Sequence, residues 1–230
     1  MSKQIPIAFF RLFPLTYADI EQIFANILPL SYDNKRGYGF KEISFVQDRL
    51  LATLVKRVPI FIQEFNSEKN QLEKKEIFLF TESDFSIDAQ FQLLEIFDTT
   101  KNISKVRSTL RHLLNKDIQV SPISFPPNKT LNKLVAGVTH FKIEGLSISN
   151  FRYKEGVVGR FDILNTDSRF AMELVNQYLN DVTKININLA FPESSVFNLK
   201  IYNSGRLTLT CDEEEFFNIF KTLKSYIFEE

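Results

Sequence analysis

Near its C-terminal end the chain repeats a period of two. Ile185, Ile187, Leu189 and Phe191, then Phe197, Leu199 and Ile201, then Leu207, Leu209 and Cys211, alternate with Asn186, Asn188, Asn198, Lys200, Tyr202, Arg206, Thr208 and Thr210. Side chains of a strand point to opposite faces in turn, so this pattern predicts three antiparallel strands with one apolar and one polar face. Asn203, Ser204 and Gly205 between the last two runs read as a tight turn.

Helical spacing stands beside these strands. Phe216, Ile219, Phe220, Leu223 and Ile227 make one apolar stripe after an acidic start, in which Asp212 and Glu215 have capping spacing. Further stripes are Ile20, Ile23, Phe24, Ile27 and Leu28 behind Thr16 and Asp19, and Ile103, Val106, Leu110, Leu113 and Leu114 within 102–114. A third helix follows Pro126, Pro127 and Asn128 and stops at Gly137; a fourth, opened by Asn165, Thr166 and Asp167, carries Phe170, Leu174, Val175 and Tyr178. Strands are expected at 5–13, 40–46, 50–65, 77–80, somewhere within 85–97, and at 118–125, 138–149 and 157–164. Pro59 bends the long strand or marks an edge, and polar residues 66–75 read as a hairpin tip.

Alternating strands beside helices with single apolar stripes predict an α+β fold, antiparallel sheets covered by amphipathic helices on one face. The layout divides into two similar halves, 1–116 and 117–230, without residue-level repetition. The order in the first half, strand, helix, four strands and helix, resembles one half of the TATA-binding-protein fold in topology alone; no motif of that family is present, and fold does not set function.

The 230 residues include 24 Phe, one Cys and no Trp, and 44% are hydrophobic. With 28 basic and 28 acidic side chains, this composition excludes a disordered chain. No apolar run reaches the roughly 18 residues of a membrane helix, and Lys3 and Arg11 interrupt the apolar start, so a cytoplasmic protein with no membrane contact is expected. One cysteine excludes an internal disulfide or multi-thiolate zinc site. Most Phe are expected in the core, including Phe9, Phe78, Phe80, Phe141, Phe161, Phe197, Phe216 and Phe220.

Two surfaces stand out. One is the polar strand face, where Lys200, Tyr202 and Arg206 join the asparagines and threonines. The other is an expected helix 101–116, on which Lys101, Lys105, Arg107, Arg111, His112 and Lys116 occur without any acid; a basic stripe opposite an apolar one suits phosphates or an acidic partner. Against a nucleic-acid domain stands the balance of each half, 16 basic and 14 acidic residues in 1–116 and 12 and 14 in 117–230.

Catalytic patterns are thin. No P-loop, dinucleotide fingerprint or nucleophile elbow occurs, Gly156 to Gly159 reads as a hairpin turn, and Cys211 on an inner face before an acidic turn reads as packed. Asp48 with Glu73 and Lys75, or Asp162 with Glu173, does not suit a carboxylate metal site. The expectation is a non-enzymatic binding protein without cofactor, acting through protein contacts in a larger assembly or as a homodimer. The alternatives are a nucleic-acid-binding or nucleic-acid-processing component using the basic helix 101–116 and the polar sheet face of 182–211, and a hydrolase assembled from scattered carboxylates.

Overall fold

The computed structural model describes residues 2–46, 48–98, 100–114, 116–164 and 167–229; the side chains of Thr100, Lys101, Pro127 and Asn128 lie outside that description, as do Asn165 and Thr166 of the expected fourth helix start. In chain order the elements are β1 (Ser2–Phe13), α1 (Tyr17–Ile27), β2 (Tyr38–Val46), β3 (Arg49–Asn66), β4 (Gln71–Asp88), β5 (Leu93–Phe97), α2 (Thr100–Arg111), β6 (Gln119–Pro122) and α3 (Pro127–Val135). They continue with β7 (His140–Lys154), β8 (Val157–Leu164), α4 (Ser168–Gln177), β9 (Val182–Ala190), β10 (Phe197–Tyr202), β11 (Arg206–Asp212), a 3-10 turn (Glu213–Glu215) and α5 (Phe216–Phe228). The described residues form mostly antiparallel strand together with helices α1 to α5, a content that fits the α+β class. The chain divides into two compact units, Met1–Arg11 with Val120–Glu230, and Leu12–Gln119.

In the first unit the strands follow the order β1-β11-β10-β9-β7-β8, with β6 also paired to β1. The register aligns one apolar row across five strands: Ile5 opposite Leu209, Leu209 opposite Leu199, Leu199 opposite Ile187, and Ile187 opposite Ile143. Such alignment forces the polar residues between them onto the other face. Phe9 sits at the centre of the aromatic packing, its ring 5.7 Å from that of Phe125, 6.1 Å from Phe220 and 5.3 Å from Phe228. Phe216, Ile219, Phe220 and Leu223 bury the expected stripe of α5. The start of that helix differs from expectation. Asp212 makes no capping bond, and Glu215 instead accepts hydrogen bonds from the backbone N–H and hydroxyl of Ser195. With that carboxylate engaged elsewhere, the reciprocal cap does not form and the chain enters α5 through the 3-10 turn. The β10–β11 turn needs its glycine: Gly205 has φ +76°, and a Cβ there would stand 1.9 Å from the Ile123 carbonyl oxygen.

In the second unit the order is β2-β3-β4-β5. Leu50 faces Ile87, which faces Leu94, and Ala52 faces Phe85, which faces Ile96; all six are buried or nearly so, together with Ile20, Ile23 and Ile27 of α1 and Ile103, Val106 and Leu110 of α2. The Thr16–Asp19 capping box forms as expected, the Thr16 N–H donating to the Asp19 carboxylate at 2.9 Å and the Asp19 N–H to the Thr16 hydroxyl at 3.2 Å. On the opposite face of β3–β5 lies a polar cluster. The Glu95 carboxylate is wholly buried and accepts from the Arg49 guanidinium and the Ser86 hydroxyl, while the Thr53 hydroxyl donates to Asp84 at 2.6 Å. Among the described residues no helix is long and apolar enough to cross a membrane.

Two expectations here are corrected. The polar residues 71–75 are strand rather than hairpin tip, and the returning chain is one strand of 18 residues, with β5 set off by a turn at 89–92. Phe78, Phe80 and Phe161 are exposed rather than core, whereas Phe9, Phe197, Phe216 and Phe220 are buried. For residues 71–75, Phe78 and Phe80 the cause is shared: beyond the reach of β2 and β5, β3 and β4 continue as a two-stranded ribbon, where alternation no longer separates core from solvent. Phe161 is exposed because β8 is the last strand of its ladder, open along most of its length.

Candidate interaction surfaces

Lys200, Tyr202 and Arg206 share the polar face of the first unit. The ladders set Lys200 between Asn186 and Thr208, and Tyr202 between Lys184 and Arg206. All three are half-buried, and Thr208 is buried. The neighbouring rows are cross-bonded. The Asn198 amide donates to Asn188 at 2.8 Å, the Asn188 amide to Glu144 at 3.1 Å, and Lys142 pairs with Glu144 at 2.7 Å. At the β8 border the Ser147 hydroxyl donates to Asp162, which also pairs with Arg160 at 2.9 Å. These partners hold the Asp162 carboxyl below its ordinary value, the Ser147 hydroxyl contributing most. The face is therefore a knit polar surface rather than an open row of donors. Glu144 and Asp162 belong to it because the ladder extends to β7 and β8, which the alternation in 182–211 alone does not reveal.

The other sequence-derived set lies in the second unit. The expected helix 101–116 is shorter than that: α2 ends at Arg111 and the chain turns at 112–113, so His112 and Lys116 lie beyond it, and the Lys101 side chain falls outside the described residues. At 100° per residue, Lys105 falls on one flank of the apolar face and Arg107 and Arg111 on the other, so these cations do not form one stripe opposite it. Lys105 and Arg107 are half-buried and Arg111 is exposed. The Lys105 ammonium donates to Asn102 at 2.9 Å, whose amide in turn donates to Asp98 at 3.3 Å. Lys56 comes close as well, reaching the Thr109 hydroxyl at 3.4 Å. Burial lowers the pKa of Lys56, and the charge of Lys105 adds to that effect.

A third surface, on the β3–β4 ribbon, was not apparent from periodicity. The two strands pair without interruption from Arg49 opposite Asp88 to Asn66 opposite Gln71. β2 pairs β3 only as far as Lys56, and β5 pairs β4 only over Asp84–Asp88. Past those limits the ribbon exposes Phe61, Ile62, Phe65, Leu72, Phe78, Leu79 and Phe80, with Phe61 at 58% and Leu72 at 62% of their full accessibility. Arg57 lies over the ring of Phe78 at 4.4 Å and Lys74 over that of Phe61 at 4.2 Å. Charged side chains hold the far end in register. Glu64 and Glu73 face each other directly, and each has a lysine partner, Lys75 at 2.6 Å and Lys69 at 2.8 Å. The Asn66 amide adds a bond to Glu73 at 2.9 Å. The signal for this surface is length: two strands of 18 residues outrun every neighbour they could pair with.

Cys211 is buried, and its thiol is pushed up by burial first and by the nearby Glu215 and Asp212 carboxylates next. Among the described residues no three His, Cys, Asp or Glu side chains gather as metal ligands would. No protein-family model matches the chain, and no curated protein matches it closely enough to count as a relative.

Proposed function

We propose that the chain is a non-enzymatic α+β binding protein that works through protein–protein contacts made by the β3–β4 ribbon. One observation carries the proposal: seven large apolar side chains stand exposed on a two-stranded extension. Five of them, Phe61, Phe65, Leu72, Phe78 and Phe80, share one face of the ribbon by its register. Exposed apolar surface of this kind is costly in water and marks interaction sites, and aromatic residues dominate the energetics of such contacts. The neutral net charge and the internally paired polar face support the same reading.

Native mass measurement after gentle purification from the source cell tests it. The expected result is a protein complex heavier than the 26.8 kDa chain that is lost when Phe61, Phe78 and Phe80 are replaced together by Ser. A mass of 26.8 kDa at every concentration, or a co-purifying nucleic acid that survives the triple substitution, overturns the proposal.

A further inference from the structure

The ribbon has two free edges, and they are not equivalent. The Arg57 N–H donates to the Gly37 carbonyl at 2.9 Å, which points it away from β4. By the period of two, the outward donors of β3 would then be Arg57, residue 59, Phe61, Gln63 and Phe65. Residue 59 is proline, so this edge lacks a donor just past β2, the usual way of blunting an edge. Because Arg57 faces Phe80 and Pro59 faces Phe78, the outward groups of β4 are those of Leu72, Lys74, Glu76, Phe78, Phe80 and Glu82. No proline interrupts them, and no strand pairs them among the described residues.

We infer that the β4 edge pairs antiparallel with the β4 edge of a second copy of this chain, on a two-fold axis at Phe78. The inference rests on the protein-contact reading above and names the partner. A symmetric pair of antiparallel strands must place residue i opposite a fixed sum minus i, so each register can be checked for charge. Centring on Lys74, Lys75 or Glu76 sets that residue against its own copy, like charge on like. Centring on Ile77 sets Lys74 against Phe80 and Lys75 against Leu79. Centring on Phe78 sets Phe78 against Phe78, Ile77 against Leu79 twice, Lys75 against Thr81, and Lys74 against Glu82 twice, with no like charges opposed. Only Glu76 against Phe80 is mismatched. Aromatic, aliphatic and opposite-charge cross-strand pairs are the ones that stabilise a sheet. In this register the outward N–H and C=O groups of Phe78 bond to their own symmetry mates.

A charge swap read by sedimentation velocity tests the register. Wild type is expected to dimerise reversibly. Lys74→Glu and Glu82→Lys should each weaken the dimer about tenfold, since each sets two like-charge pairs across the interface where two opposite-charge pairs stood. Lys74→Glu with Glu82→Lys together should restore it to within about threefold, which separates a cross-interface pair from loss of the Lys74–Phe61 and Lys41–Glu82 contacts inside one copy. A wild-type chain that stays monomeric while binding a different protein through the ribbon overturns this inference and leaves the protein-contact reading standing. Dimers that ignore both single substitutions, or are not recovered in the double, overturn the register.

Discussion

Replacing Glu95 should cost more stability than any surface change in the molecule. Its carboxylate is wholly buried, and it accepts from Arg49, whose side chain keeps 23% of its accessibility, and from Ser86. Glu95→Ala strips the guanidinium of this counter-ion inside the unit, a loss of about 3–5 kcal/mol for a broken buried pair. At roughly 2–4 °C per kcal/mol in a chain of this size, the melting temperature should fall by about 6–20 °C. Glu95→Gln keeps the shape and an acceptor for Ser86, so a smaller loss of about 1–3 kcal/mol is expected. The double substitution Arg49→Met with Glu95→Leu removes both charges and should recover much of the difference, because a buried pair contributes little net stability over a packed apolar one. Urea unfolding followed by circular dichroism measures these proteins together with the single substitutions Arg49→Met and Glu95→Leu, which close the cycle. A Glu95→Ala loss under about 1 kcal/mol, or strictly additive losses at positions 49 and 95, would refute the reasoning.

Three further outcomes follow from the geometry. Gly205→Ala should lose roughly 1–3 kcal/mol in the same unfolding assay, since it adds a Cβ at positive φ against the Ile123 carbonyl; an unchanged midpoint contradicts the turn. Asp162 is depressed in the folded state, so its stabilising effect is present above the ordinary aspartate value and fades as pH falls through the lower folded value. Asp162→Asn should therefore flatten the acid side of the stability curve, and equal slopes would count against the Ser147–Asp162 bond. Cys211, buried with a raised thiol pKa, should react with a disulfide reagent at pH 8 far more slowly than the unfolded chain; equal rates would mean that the site is open.

Short-range chemistry was the most legible part of the sequence. The Thr16–Asp19 box depends on residues three apart, and the row through Ile187, Leu199 and Leu209 depends on strict alternation, so both stand in the structure as expected. What escaped was set by distant partners. Glu215 has capping spacing to Asp212 but is engaged by Ser195, twenty residues away. Lys200, Tyr202 and Arg206 are together because their strands are adjacent, yet the acids that complete the face, Glu144 and Asp162, arrive from β7 and β8. The sequence conceals the ribbon because Glu73, Lys74 and Lys75 look like loop residues. In a two-stranded segment without a covering layer, such residues sit in a strand at no burial cost, while Phe78 and Phe80 lose the core environment that their type suggests.

Amide exchange along β4, measured residue by residue at low and high protein concentration, bears most directly on the ribbon as a contact surface. The amides of Glu73, Lys75, Ile77, Leu79 and Thr81 bond to β3 and should be protected at both concentrations. Those of Lys74, Glu76, Phe78, Phe80 and Glu82 point outward and should be protected only at high concentration, when a second copy is seated. Fast exchange of these five amides at every concentration would contradict pairing at this edge.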